Sequence, residues 1–89
     1  MFVKHLLEAS ARGHRAMLAR LAPEAYSLPH AHDDIEHIYV LDGEFHDGER
    51  MLSAGDYCVR APGVVHTASS EHGALTLVLY VPDNGTRDA

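Results

Sequence analysis

PHAHDDIEH, residues 29–37, sets two histidines one residue apart, then a carboxylate, then a third histidine, directly ahead of the apolar run IYVL. The stretch reads either as a solvated polar turn rich in histidine or as a set of ligands aimed at one metal ion. Side chains along a strand alternate between faces, so residues separated by an even number point the same way. His30, His32 and Glu36 share one parity. Had the carboxylate come one position later, an uninterrupted strand would aim it away from both imidazoles. Taken singly, each histidine is better explained as a polar loop residue or a half-buried, hydrogen-bonded one. Three potential ligands in register on one strand shift that balance, and a fourth must come from elsewhere in the chain.

Outward from this stretch the punctuation is regular. LPHAHDD, LDGEFHDGER, SAGD, RAPG, SEHG and PDNGT are turn-like clusters every eight to twelve residues, separated by the short apolar runs IEHIYVL, DYCVR and GALTLVLYV. That rhythm describes a small β-barrel or sandwich. EFHDGERM reads as a hairpin in which Asp47-Gly48 supplies the left-handed turn residues. The first 22 residues carry the alanine and leucine of a helix, yet Gly13 interrupts them and Met17, Ala19 and Leu21 alternate equally well as a strand. Propensity leaves both assignments open there. The chain reads as one domain over residues 1–82, followed by a frayed tail at 83–89 after Pro82.

An 89-residue domain buries only about 60% of the surface its unfolded chain exposes, so association is a natural source of stability. Seven Lys and Arg against thirteen Asp and Glu give a net charge of −6, with no basic cluster for a phosphate backbone or an anionic membrane. No nucleic-acid and no membrane partner is expected. The short HLL stretch near the start is too brief for a signal-peptide core, and a cytoplasmic location is expected. Cys58 stands alone, which suits a reducing compartment and a small buried hydrophobe. The sequence has no nucleophile elbow, P-loop or glycine-rich dinucleotide motif.

At these residues the sequence resembles the cupin superfamily, whose first motif is written G(x)5HxH(x)3-4E(x)6G and whose second is G(x)5PxG(x)2H(x)3N. The first aligns on His30, His32, Glu36 and Gly43 and the second on Gly55, Gly63 and His66, with every interval kept. Glu24 stands at the first motif's opening glycine, Ala61 at the second motif's proline and Ser70 at its closing asparagine. The resemblance implies an all-β fold, a double-stranded β-helix (cupin/jelly-roll barrel), with strands at about residues 2–8 and 15–22. It also implies a metal held by His30, His32, Glu36 and His66. Three neutral imidazoles and one carboxylate suit a divalent first-row metal (Fe, Mn, Ni or Zn), and leave two positions open if the ion is octahedral. Such a site carries about +1 and favours a small anionic chelating ligand.

Many cupins with this ligand set are iron-dependent dioxygenases or isomerases, so the resemblance implies a metal-dependent dioxygenase acting on a small anionic or enolisable substrate. Ile38, Val40, Phe45, Leu77 and Leu79 are the expected pocket lining, the first two by parity. The stretch from Glu36 to Ala68 also looks like the cupin domain of zinc-dependent anti-sigma factors and related small dioxygenases, which implies a non-catalytic binding or sensing module as the alternative. With 29 residues before His30, the first of the expected ligands, no helical sigma-gripping domain is expected. The outward parity of Ile35, Tyr39 and Leu41 suggests a covered second surface, and a homodimer is expected. His37, of the same outward parity, His46, beside the turn, and His72, in SEHG, are expected away from the metal.

Overall fold

The computed structural model describes residues 2–8, 12–30 and 33–82, with residues 28–30 described by their backbone. The strands are β1 (Phe2–Leu7), β2 (Arg15–Leu21), β3 (Ala25–His30), β4 (Ile35–His46), β5 (Met51–Ser53), β6 (Tyr57–Arg60), β7 (His66–Ser70) and β8 (Ala74–Val81). All pairings between them are antiparallel. No helix among the described residues is long and apolar enough to cross a membrane.

The helix-like composition of the first 22 residues yields to sheet pairing. β2 lies between β1 and β8 with Met17 opposite both His5 and Val78, so tertiary partners override local propensity. One sheet runs β1-β2-β8-β4-β6, and the second joins β3, β7, β5 and the far end of β4. β4 ties the two together. Its first nine residues pair with β8 and β6, and Glu44–His46 pair with β5 and β7. The result is a curled all-β barrel, the double-stranded β-helix.

Leu41 is the hinge of this arrangement. The register slips between Val40 and Asp42, so the buried set changes from Glu36, Ile38 and Val40 before the bulge to Phe45 after it. The slip feeds into Gly43, whose φ of +78° is left-handed and whose Cα faces the backbone of Gly73. Glu24, at the motif's opening-glycine position, also takes a left-handed φ of 64°, and its N–H donates to the Ser70 carbonyl at 2.7 Å. Glutamate therefore keeps the turn that glycine would favour there, at a conformational cost of roughly 1 kcal/mol.

Two expectations about orientation are corrected. In β8 the buried residues are Ala74, Thr76, Val78 and Tyr80, whereas Leu77 is half-buried and Leu79 exposed on the outer face. Apolarity alone misassigns this strand, because its inward polar groups are satisfied: the Thr76 hydroxyl donates to the Ala19 carbonyl at 3.1 Å. In the β4–β5 turn only Gly48 has positive φ. Asp47 instead turns its buried carboxylate back onto the loop, where Oδ1 accepts the N–H groups of Glu49 at 2.9 Å and Arg50 at 2.8 Å.

Candidate functional site

Sheet register assembles a polar row inside an otherwise apolar barrel. Arg15 on β2 is opposite Tyr80 on β8, Tyr80 is opposite Glu36 on β4, and Glu36 is opposite Arg60 on β6. Partners directly across an antiparallel pair lie on the same face, so the last three side chains meet in the interior. Tyr80, Glu36 and Arg60 are all buried. Arg15, at the rim, stacks its guanidinium 4.5 Å from the centre of the Tyr80 ring and pairs with Asp34 at 2.7 Å. That pair fixes the chain just ahead of Glu36.

The second sheet brings His66, the first residue of β7, against this row. His66 Nε2 stands 3.3 Å from Glu36 Oε1. Arg60 Nη1 stands 3.3 Å from the same oxygen and donates to His66 Nδ1. The other carboxylate oxygen, Oε2, accepts the Tyr80 hydroxyl at 3.0 Å. Burial and the neighbouring Glu36 charge push the Tyr80 phenol well above its ordinary range, so it stays protonated and donates. Behind Arg60, Nη2 lies 4.0 Å from Asp47 Oδ2, near enough for charge but not for a hydrogen bond.

Of the four residues expected to hold a metal, Glu36 and His66 are brought together. The His30 backbone pairs directly with His66 across β3 and β7, and its side chain lies outside the described residues, as does His32. The grouping does not arise as the parity argument has it. His30 ends β3 in one sheet and Glu36 is the second residue of β4 in the other, so no single uninterrupted strand carries both. Strand pairing relates them, with His66 as the common neighbour.

The donor chemistry fits a divalent cation. Two ligands each about 2.1 Å from one ion, in neighbouring octahedral positions, stand roughly 3 Å apart, close to the Nε2–Oε1 separation. A guanidinium only donates, so Nδ1 contributes its lone pair to Arg60 and the hydrogen of a neutral ring is left to Nε2. Coordination through Nε2 would need that hydrogen moved to Nδ1 and Arg60 drawn off it. Among the described residues no group of three His, Cys, Asp or Glu side chains comes together.

Glu36, His66, Arg60 and Tyr80 form the polar end of a cavity of about 110 Å³ whose remaining wall includes Met17, Ile38, Phe45 and Val78. Ile38 and Phe45 line it as expected, while Val40 lies wholly within the packed core. Arg60 and His66 also line an outer cleft of about 360 Å³ between the Asp47–Arg50 turn and Val64–Val65. Sequence reasoning missed Arg60 and Tyr80. Strand periodicity could have found both: Arg60 shares parity with buried Cys58, and Tyr80 with Thr76 and Val78.

The remaining histidines lie apart from this centre. His37 faces outward and hydrogen-bonds the Tyr57 hydroxyl; His46 accepts the Gly48 N–H at 3.1 Å; exposed His72 lies 3.3 Å from Glu44. Cys58 is a buried free thiol, and burial raises its pKa, which leaves it inert. Ser70, at the motif's asparagine position, donates to the Glu44 carbonyl at 2.5 Å and accepts the Gly73 N–H at 2.8 Å, so it secures the strand ends rather than the cavity.

Comparison with curated proteins gives no match. Solved structures do match in fold. An RmlC-like cupin from Shewanella frigidimarina is 26% identical with a TM-score of 0.78, over 92% of this chain and 78% of its own. The Rhodobacter sphaeroides complex of SigE with the anti-sigma ChrR matches at 22% identity and TM-score 0.75, over 88% of this chain and 44% of the other. The DMSP lyase DddQ from Ruegeria pomeroyi matches at 23% identity and TM-score 0.80, over 96% of this chain and 48% of its own. The chain thus spans less than half of the latter two matched chains. Residues 1–82 match the model of the ChrR cupin-like domain, and the chain belongs to that family.

Proposed function

We propose that this cupin holds a divalent transition metal through His30, His32, Glu36 and His66 and uses it on a small anionic or enolisable molecule, with a dioxygenase as the first reading of the chemistry. The observation that carries the proposal is the meeting of buried Glu36 Oε1 and His66 Nε2 at 3.3 Å on the wall of an apolar cavity. When bound, the ion would supply Lewis acidity and open coordination positions for substrate and dioxygen. The protein's own groups do the rest. Tyr80 holds the far oxygen of Glu36, Arg60 supplies fixed positive charge, and Ile38, Phe45 and Val78 exclude water around the ligand.

The second reading, a metal-bound small-molecule sensing module without catalysis, is favoured by the match to the ChrR cupin-like domain. In either case the protein is proposed to be a cytoplasmic homodimer. Elemental analysis of protein purified without chelator or metal resin, followed by oxygen uptake of the iron-loaded protein with diketones and phenolic ketones, separates the readings. Iron or manganese with uptake supports the oxygenase. Stoichiometric zinc without turnover supports the sensor. Full metal retention in all four single alanine variants of the proposed ligands defeats the metal assignment itself.

A further inference from the structure

We propose that Arg60 is the anchor for the anionic group of the ligand, which is a small carboxylate with a short apolar body lodged between the sheets. The proposal rests on the metal-site reading of Glu36 and His66 and narrows its ligand. Arg60 is 8% exposed, yet it lines both the interior cavity and the outer cleft. Among the described residues lining the cavity it is the one arginine or lysine. Its Nη1 is engaged by Glu36 and His66, whereas buried Nη2 has no hydrogen-bond partner among the described residues. A buried donor left unmade is costly, and a ligand carboxylate supplies what Asp47 at 4.0 Å does not.

Charge makes the anchoring conditional. Glu36 and Asp47 against Arg60 and Arg50 sum to zero, so without a metal the surroundings give an anion no net attraction. A divalent ion on Glu36 and His66 turns that sum to about +2, so the guanidinium and the ion then attract the same carboxylate. Size limits the rest of the molecule. The cavity of about 110 Å³ is smaller than the ~150 Å³ apolar cavity known to accept benzene in another protein, so it suits a body no larger than a short alkyl chain. Its Met17, Ile38, Phe45 and Val78 wall offers that body no hydrogen bonds.

Calorimetric titration of zinc-loaded protein with butanoate, and with its neutral isostere butanamide, tests the assignment. Wild-type protein is expected to bind butanoate at least tenfold more tightly than butanamide and to lose that preference when zinc is removed. Arg60→Lys keeps a charge but not the planar fork, and should weaken butanoate about tenfold or more when titrated with enough zinc to hold its content at one per chain. Because Arg60 is buried beside two carboxylates, the paired variant Asp47→Asn/Arg60→Gln, which removes one charge of each sign, serves as the second probe and should lose the preference for butanoate entirely. Butanoate binding unchanged in both zinc-loaded variants, or no preference over butanamide in the wild type, overturns the role of Arg60 and leaves the metal site standing. Failure of the wild type to bind zinc or iron overturns the metal reading and the anchor together.

Discussion

The hydroxyl of Tyr80 donates to Glu36 Oε2 at 3.0 Å, leaving Oε1 turned toward His66. Directly opposed strand positions impose this pairing, and burial keeps the phenol protonated. Outer partners of this kind orient a ligating carboxylate, and their loss costs typically 10–100-fold in metal affinity. Tyr80→Phe is accordingly expected to weaken cobalt binding by about that factor while leaving the thermal transition within a few degrees of wild type. A cobalt titration followed by its visible absorption checks this, and an unchanged affinity would remove Tyr80 from any role in holding Glu36.

Gly43 and Gly73 meet backbone to backbone where β4 bends into the second sheet. A Cβ at position 43 would lie 2.1 Å from the Gly73 carbonyl oxygen and 2.9 Å from the Ala74 Cα, and the φ of +78° disfavours any side chain besides. Strain and overpacking together should make Gly43→Ala lose about 2–5 kcal/mol. Urea denaturation measures it. Gly55 has a similar φ with nothing within 4 Å of its would-be Cβ, so Gly55→Ala should lose markedly less, about 1 kcal/mol.

The strand rhythm and the turn glycines were legible because alternation and left-handed turns are local properties. Parity placed Ile38 and Val40 inward and His37, Tyr39 and Leu41 outward, as the burial pattern has them. Across the Leu41 bulge it could not have been carried to Phe45, since an inserted residue reverses every later orientation. The pairing of Glu36 with Tyr80 and Arg60 was illegible for a different reason: it depends on register between strands 24 and 44 residues apart, which no local pattern encodes. Leu77 and Leu79 were read inward because they are apolar, although the outer face of this sheet is apolar as well.

That outer face is the ground for the next expectation. Leu18, Leu77, Tyr39 and Tyr57 form one row across four strands, with His37 between Leu79 and Val59 in the next. Tyr57 is 55% and Val59 50% exposed, more apolar surface than an isolated barrel gains by showing. Exposed Arg20 and Asp42 stand in register on either side of Leu75 at one end of the patch, opposite charges that a two-fold pairing of the same face can satisfy. Sedimentation at micromolar concentration should show a dimer, and Leu77→Asp, at the centre of the row, should yield a folded monomer. A wild-type monomer under those conditions counts against the interface.

Acid should weaken the fold through Asp47. Burial by itself would raise its carboxyl, but the N–H groups of Arg50 and Glu49, joined by the Arg60 and Arg50 charges, outweigh that and hold it below its ordinary value of 3.8. A carboxyl whose pKa is lower folded than unfolded lends stability that is complete above about pH 5 and disappears as pH falls through 3.8 toward the depressed folded value. Asp47→Asn should therefore cost about 1–3 kcal/mol at pH 7. Its disadvantage should then shrink progressively below about pH 5, as the wild type loses the same contribution. Urea midpoints of both proteins from neutral to strongly acidic pH give the comparison. Parallel curves over the whole range would mean that the ionised Asp47 carboxylate does not stabilise the hairpin that backs Arg60.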